Sequence, residues 1–132
     1  MAIKREQKNN QTNIETTPLN LTEVIINAIQ DKKGDDIVVI DLQKTHNSLF
    51  DQFIICSANS KPQSDTLVDH IAFTVKKQLG ILPKHIEGTE NATWAIMDYF
   101  NIIVHVFNPE SREYFQLEKL WADAELRVVK TI

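Results

Sequence analysis

Three aspartates, Asp41, Asp51 and Asp98, and the pair Asp123 and Glu125 are the residues of this chain that could hold divalent cations. The chemistry would be metal-dependent nucleotidyl transfer, which needs two carboxylates aimed at one point. Asp123 and Glu125 fall in a stretch that reads as a C-terminal helix, where side chains two apart point in different directions. Asp41, Asp51 and Asp98 meet only if the fold brings them together; otherwise they read as turn, cap and solvated carboxylates. The four histidines, His46, His70, His85 and His105, lack the spacing of a metal-ligand set, and His70 reads as solvated on the outside of a helix. Cys56 sits in an apolar run without a basic neighbour in sequence, so it reads as a small buried apolar residue rather than a nucleophile. As the single cysteine it forms no internal disulfide. The three glycines, Gly34, Gly80 and Gly88, form neither a phosphate-binding loop nor a serine elbow. No enzyme, metal or cofactor is expected.

Molecular contact is the other chemistry on offer. Residues 93–107 read as two strands joined by a tight turn, with a polar break from Asp98 to Asn101. With Tyr99 and Phe100 as the turn, Asp98 faces Asn101, Ile96 faces Ile103 and Trp94 faces His105, all on one side of the hairpin. The opposite side carries Ala95, Met97, Ile102, Val104 and Val106, and reads as core. The mixed side admits two readings. It is a docking surface anchored by Trp94, or Trp94 fills a second core layer under a helix and His105 is a satisfied, half-buried histidine.

The elements that must position this hairpin follow from periodicity and caps. Asn20 and Glu23 open a first helix, with Leu19 and Val24 as its apolar staple and Leu21, Val24, Ile25, Ala28 and Ile29 as its stripe; Gly34 closes it. Residues 36–42 read as a central strand, 43–49 as a polar connection, and Gln52–Ser57 as a second strand. Ser60, Pro62 and Gln63 start a long helix with Leu67, Val68, Ile71, Ala72, Val75 and Leu79 buried, ending at Gly80. Residues 81–92 read as irregular. After the hairpin, Asn108 and Pro109 open a last helical stretch whose Tyr114, Phe115, Leu117, Leu120 and Trp121 fold back onto the sheet; residues 123–132 give no clear pattern. The expected order is α-β-β-α-β-β-α, a mixed sheet flanked by helices, α/β bordering on α+β.

The totals agree with one domain. The chain has 132 residues, 42% hydrophobic and 24% charged, with residues 1–18 reading as a flexible polar arm and 19–132 as a single domain. A net charge of −4 argues against extensive nucleic-acid binding and suits a basic protein partner. No apolar run is long enough for a membrane span and no signal-like start is present, so a cytoplasmic location is expected.

Several motifs together resemble the ribosomal silencing factor family, RsfS or Iojap. They are Asp41 after the first strand, Asp51-Gln-Phe-Ile-Ile in the second, Ser60 with Gln63 at the helix start, and Glu87-Gly88 before the tryptophan strand. Trp94, Asp98-Tyr99 and His105 follow in the hairpin, then Arg112-Glu-Tyr-Phe-Gln-Leu-Glu118 and Leu120-Trp121-Ala-Asp123. Their order covers roughly residues 20–123. The resemblance implies a translation repressor that binds the large ribosomal subunit on its conserved protein numbered fourteen and sterically blocks joining of the small subunit. It also implies a nucleotidyltransferase-like core without catalysis, a tendency to form homodimers, and a role for organelle relatives in large-subunit assembly. Carried to this chain, Trp94 is the apolar anchor, Asp98 and Glu87 meet basic side chains, and Tyr99 and His105 add polar-tipped contact. Two rival readings stand beside it: a large-subunit assembly factor acting as a dimeric scaffold, or a divergent nucleotidyltransferase using Asp41, Asp51 or Asp98. Two positions depart from the family pattern: Lys61-Pro62 where an Arg is usual, and Phe100 where a turn Gly is common.

Overall fold

The computed structural model describes residues 20–44 and 49–130; the expected arm over residues 1–18, Leu19 and His46 lie outside them. Helix α1 (Leu21–Asp31) starts where Asn20 accepts a hydrogen bond from the Glu23 amide at 2.8 Å, and it buries Val24, Ile25, Ala28 and Ile29. Glu23 does not turn back to the cap. Its carboxylate instead pairs with Arg127 at 2.8 Å, tying the helix to the C-terminal strand. Strands β1 (Asp35–Asp41) and β2 (Gln52–Ser57) pair antiparallel, with Val39 opposite Ile54. Helix α2 (Lys61–Leu79) is capped by Ser60 and ended by Gly80 at φ 70°, a left-handed conformation that glycine takes without a Cβ penalty.

Strands β3 (His85–Glu87), β4 (Trp94–Asp98) and β5 (Ile102–Phe107) follow, then α3 (Pro109–Phe115), α4 (Leu117–Leu120) and β6 (Glu125–Val128). They form one six-stranded sheet in the order β3-β4-β5-β2-β1-β6. The central pair β2 and β5 runs parallel, and the described neighbours on either side run antiparallel. Helices α1 and α2 cover one face, over Ile37, Val39, Ile54, Ala95, Met97 and Val104. The other face holds Val38, Ile40, Phe53, Ile55, Ile103 and Phe107 beneath Leu117 and Trp121. Both faces of β1 and β2 are therefore buried, which is why these strands read as unbroken apolar runs.

The mixed sheet flanked by helices agrees with expectation; the element order needs two additions. Strand β3 lies in the segment read as irregular, and β6 in the stretch without a clear pattern. Every residue of both strands is exposed, so neither shows the inside–outside alternation that marks a strand. Ladder bonds and the Glu23–Arg127 pair hold β6 instead. Glu125 therefore begins a strand, and it shares no C-terminal helix with Asp123. The last helical stretch is also broken. Gln116 takes φ 46°, which ends α3 and redirects α4. Leu117 is buried and Trp121 packs on the second core, while Tyr114 and Leu120 point outward instead of folding back. No helix among the described residues is long and apolar enough to cross a membrane.

Candidate docking surface

The hairpin turns one residue later than its sequence suggests. Its turn residues are Phe100 and Asn101, closed by the Tyr99 amide donating to the Ile102 carbonyl at 2.9 Å. Trp94 stands opposite Phe107, Ile96 opposite His105 and Asp98 opposite Ile103, a pairing two residues removed from the expected one. A shift of two leaves each side chain on its face, so both faces are as expected. Side-chain clamps set the register. The Asp98 carboxylate accepts from the Phe100 amide at 2.7 Å, and Asp51 accepts from the Asn101 side chain at 3.1 Å.

Tyr99 belongs to the helix-covered face. It is 1% exposed, its hydroxyl has no hydrogen-bond partner among the described residues, and burial pushes its pKa up to about 12. It supports the surface from below. His105 is 5% exposed on the other face, where the Trp94 indole N–H donates to its Nδ1 at 3.0 Å. That bond makes Nδ1 an acceptor, so the neutral ring carries its proton on Nε2. Burial lowers the His105 pKa to about 4, and Nε2 has no partner among the described residues. Phe53 meets the imidazole edge-on at 4.7 Å.

Trp94 is half-buried. Its ring lies 4.8 Å from that of Phe107 and 4.9 Å from that of Phe115 of α3. It is thus a second-layer residue under a helix that still shows an edge to solvent. Helices α3 and α4 stop there. Arg112 holds α3 to the end of β2, donating to the Ser57 hydroxyl at 2.9 Å and pairing with Glu118 at 3.0 Å. Beyond this cover β3 extends the face: Glu87 stands opposite Ile96 and His85 opposite Asp98. Trp94, Ile96, Asp98, Glu87 and His85 therefore share one open surface, with His85 Nε2 2.8 Å from the Glu87 carboxylate and 4.0 Å from that of Asp98. His85 was missed as a member of this surface. The signal was the spacing of His85 and Glu87 around Ile86, which aligns them once β3 is read as a strand.

The other candidate residues fall elsewhere. Asp41, Asp51 and Asp98 line one end of the sheet, each accepting a local bond: Asp41 from the Gln43 amide, Asp51 from Asn101, Asp98 from Phe100. Among the described residues no group of three or more His, Cys, Asp or Glu is placed to hold a metal ion. Cys56 is fully buried, and desolvation pushes its thiol up to about 12, well away from a reactive thiolate. His70 is not merely solvated; it contacts Asp31 of α1 at 3.1 Å.

Residues 15–132 match the family described as RsfS, ribosomal silencing factor during starvation. The ribosomal silencing factor RsfS of Halalkalibacterium halodurans is 36% identical over 104 residues, 79% of this chain and 87% of that protein. The RsfS of Bacillus subtilis is 36% identical over 110 residues, 81% of this chain and 89% of that protein. A crystal structure of a Chromobacterium violaceum protein superposes with a TM-score of 0.73 at 29% identity, over 84% of this chain and 92% of that one.

Proposed function

We propose, from the premise that this chain belongs to the ribosomal silencing factor (RsfS) family, that it binds the large ribosomal subunit and keeps the small subunit from joining it. The contact is the conserved large-subunit protein numbered fourteen, and the effect is repression of translation. The mechanism is steric: a domain seated on the joining face excludes the small subunit by volume and performs no chemistry. The observation that carries the reading is the open surface beside α3, where the edge of Trp94 and Ile96 provide an apolar centre and Glu87 and Asp98 an acidic rim. An apolar anchor within charged groups is the usual anatomy of a docking site, and its acidic character suits a basic ribosomal protein. Tyr99 and His105 act beneath it, the first by packing and the second by orienting the indole.

The same proposal places the protein in the cytoplasm, gives it a homodimeric form away from the ribosome, and treats the nucleotidyltransferase-like core as ancestry without activity. The test is co-sedimentation with purified large subunits, small subunits and joined ribosomes. We expect binding to large subunits alone, weakened as salt is raised because exposed charges are screened. Glu87→Lys reverses an exposed charge and should lower that affinity at least tenfold without altering the fold. Trp94→Ala is a poorer probe, because losing the contacts to Phe107, Phe115 and His105 also costs about 2–3 kcal/mol of stability. Binding to joined ribosomes as readily as to large subunits would sink the steric mechanism.

A further inference from the structure

We propose that Phe100, at the tip of the β4–β5 hairpin, is an apolar contact residue of the docking surface, inserted into the same basic large-subunit partner beside the Asp98 contact. The inference rests on the docking reading above.

Phe100 has φ 74°, in the left-handed region where a Cβ crowds the chain. A bulky residue there is strained by roughly 1–2 kcal/mol, and it persists only where its surroundings over-determine it. They do so here. The Phe100 amide donates to Asp98 at 2.7 Å, the Tyr99 amide to Ile102 at 2.9 Å, and the Asn101 carbonyl accepts from the Asp51 amide at 2.7 Å. The Asn101 side chain is held in turn by Asp51 at 3.1 Å.

Neither core gives anything back for that strain. Phe100 is 59% exposed and belongs to neither core cluster. A glycine would take the same turn without strain, as Gly80 and Gly88 do at φ 70° and 81°. A largely exposed aromatic on a turn whose backbone is held at a cost to the folded state fits a contact made with something outside the chain. Two features say where that contact lies. The Asp98 carboxylate that clamps the Phe100 amide is itself part of the acidic rim, so Phe100 adjoins the surface already described. Leu49, exposed at 89%, precedes the Asp51 that clamps Asn101 and adds a second apolar side chain at this end of the sheet. A turn whose backbone is already fixed by these bonds loses little backbone entropy on docking.

The test compares the unaltered protein with Phe100→Gly and Phe100→Leu in co-sedimentation with isolated large subunits, alongside urea unfolding. We expect Phe100→Gly to unfold at the same or a higher urea concentration and to bind at least tenfold more weakly. Phe100→Leu, which keeps an apolar side chain at the tip, should bind within about threefold of the unaltered protein. Binding of Phe100→Gly within twofold of the unaltered chain overturns the inference and leaves the docking reading standing. A marked fall in the unfolding midpoint of Phe100→Gly also overturns it, because the ring would then serve the fold. Failure of the unaltered chain to bind large subunits overturns both.

Discussion

His105 shows how one buried ring couples the surface to the core. Its folded pKa near 4 lies below its ordinary 6.5, so the unfolded chain takes up a proton more readily between those values. The contribution of this ring to stability is therefore complete above about pH 6.5 and is lost as the pH drops toward 4, by up to about 3 kcal/mol. His105→Gln keeps an acceptor for the Trp94 indole but does not titrate; urea midpoints from pH 7 to 4.5 should fall less steeply in this variant. The glycines make a sharper contrast. At Gly88 a Cβ would collide with the Trp94 carbonyl oxygen, whereas at Gly80 it would meet nothing within 4 Å. Both have positive φ, so Gly80→Ala measures the backbone strain alone, about 1 kcal/mol. Gly88→Ala adds the collision and should cost at least about 2 kcal/mol by chemical denaturation. Its fault lies where β3 meets Trp94, so subunit binding should fall with it.

Strands with a buried face were legible in the sequence, and those without one were not, while helices were announced by their caps. Asn20, Ser60 and Asn108 each cap the helix that their residue types announced, and the range of β2 agrees residue for residue. Strands β3 and β6 escaped because neither buries a side chain; pairing with a neighbour defines them, and pairing leaves no periodic mark. The same cause hid part of the surface, since only β3 brings His85 and Glu87 beside Asp98 and Ile96. The hairpin register failed for a different reason. Turn preference favours a small residue at positive φ; Asp98 holds the Phe100 amide locally, but the bond from Asn101 to Asp51, distant in sequence, leaves no local mark. The hairpin faces survived the error because a shift of two preserves the pleat.

The whole molecule is a sheet closed from its middle outward by chain segments far apart in sequence. Gln52 pairs with Ile102 in the parallel centre, and Val38 with Val128 near the far edge. A chain ending at residue 101 lacks β5 and should remain unfolded, with flat far-ultraviolet dichroism and rapid proteolysis. A chain ending at residue 124 retains both cores but leaves the edge of β1 bare, and should associate through it. The parallel pair also sets the order of assembly. Helix α2 and the β4–β5 hairpin make local contacts and can form early, but β1–β2 and β4–β5 remain separate ribbons until β2 finds β5. During synthesis that meeting waits until residue 107 has cleared the exit tunnel, and β6 closes over β1 later still. Residues 52–107 must thus all be made before the two ribbons join into one sheet, and until then Trp94 lacks the support of Phe107 beneath it.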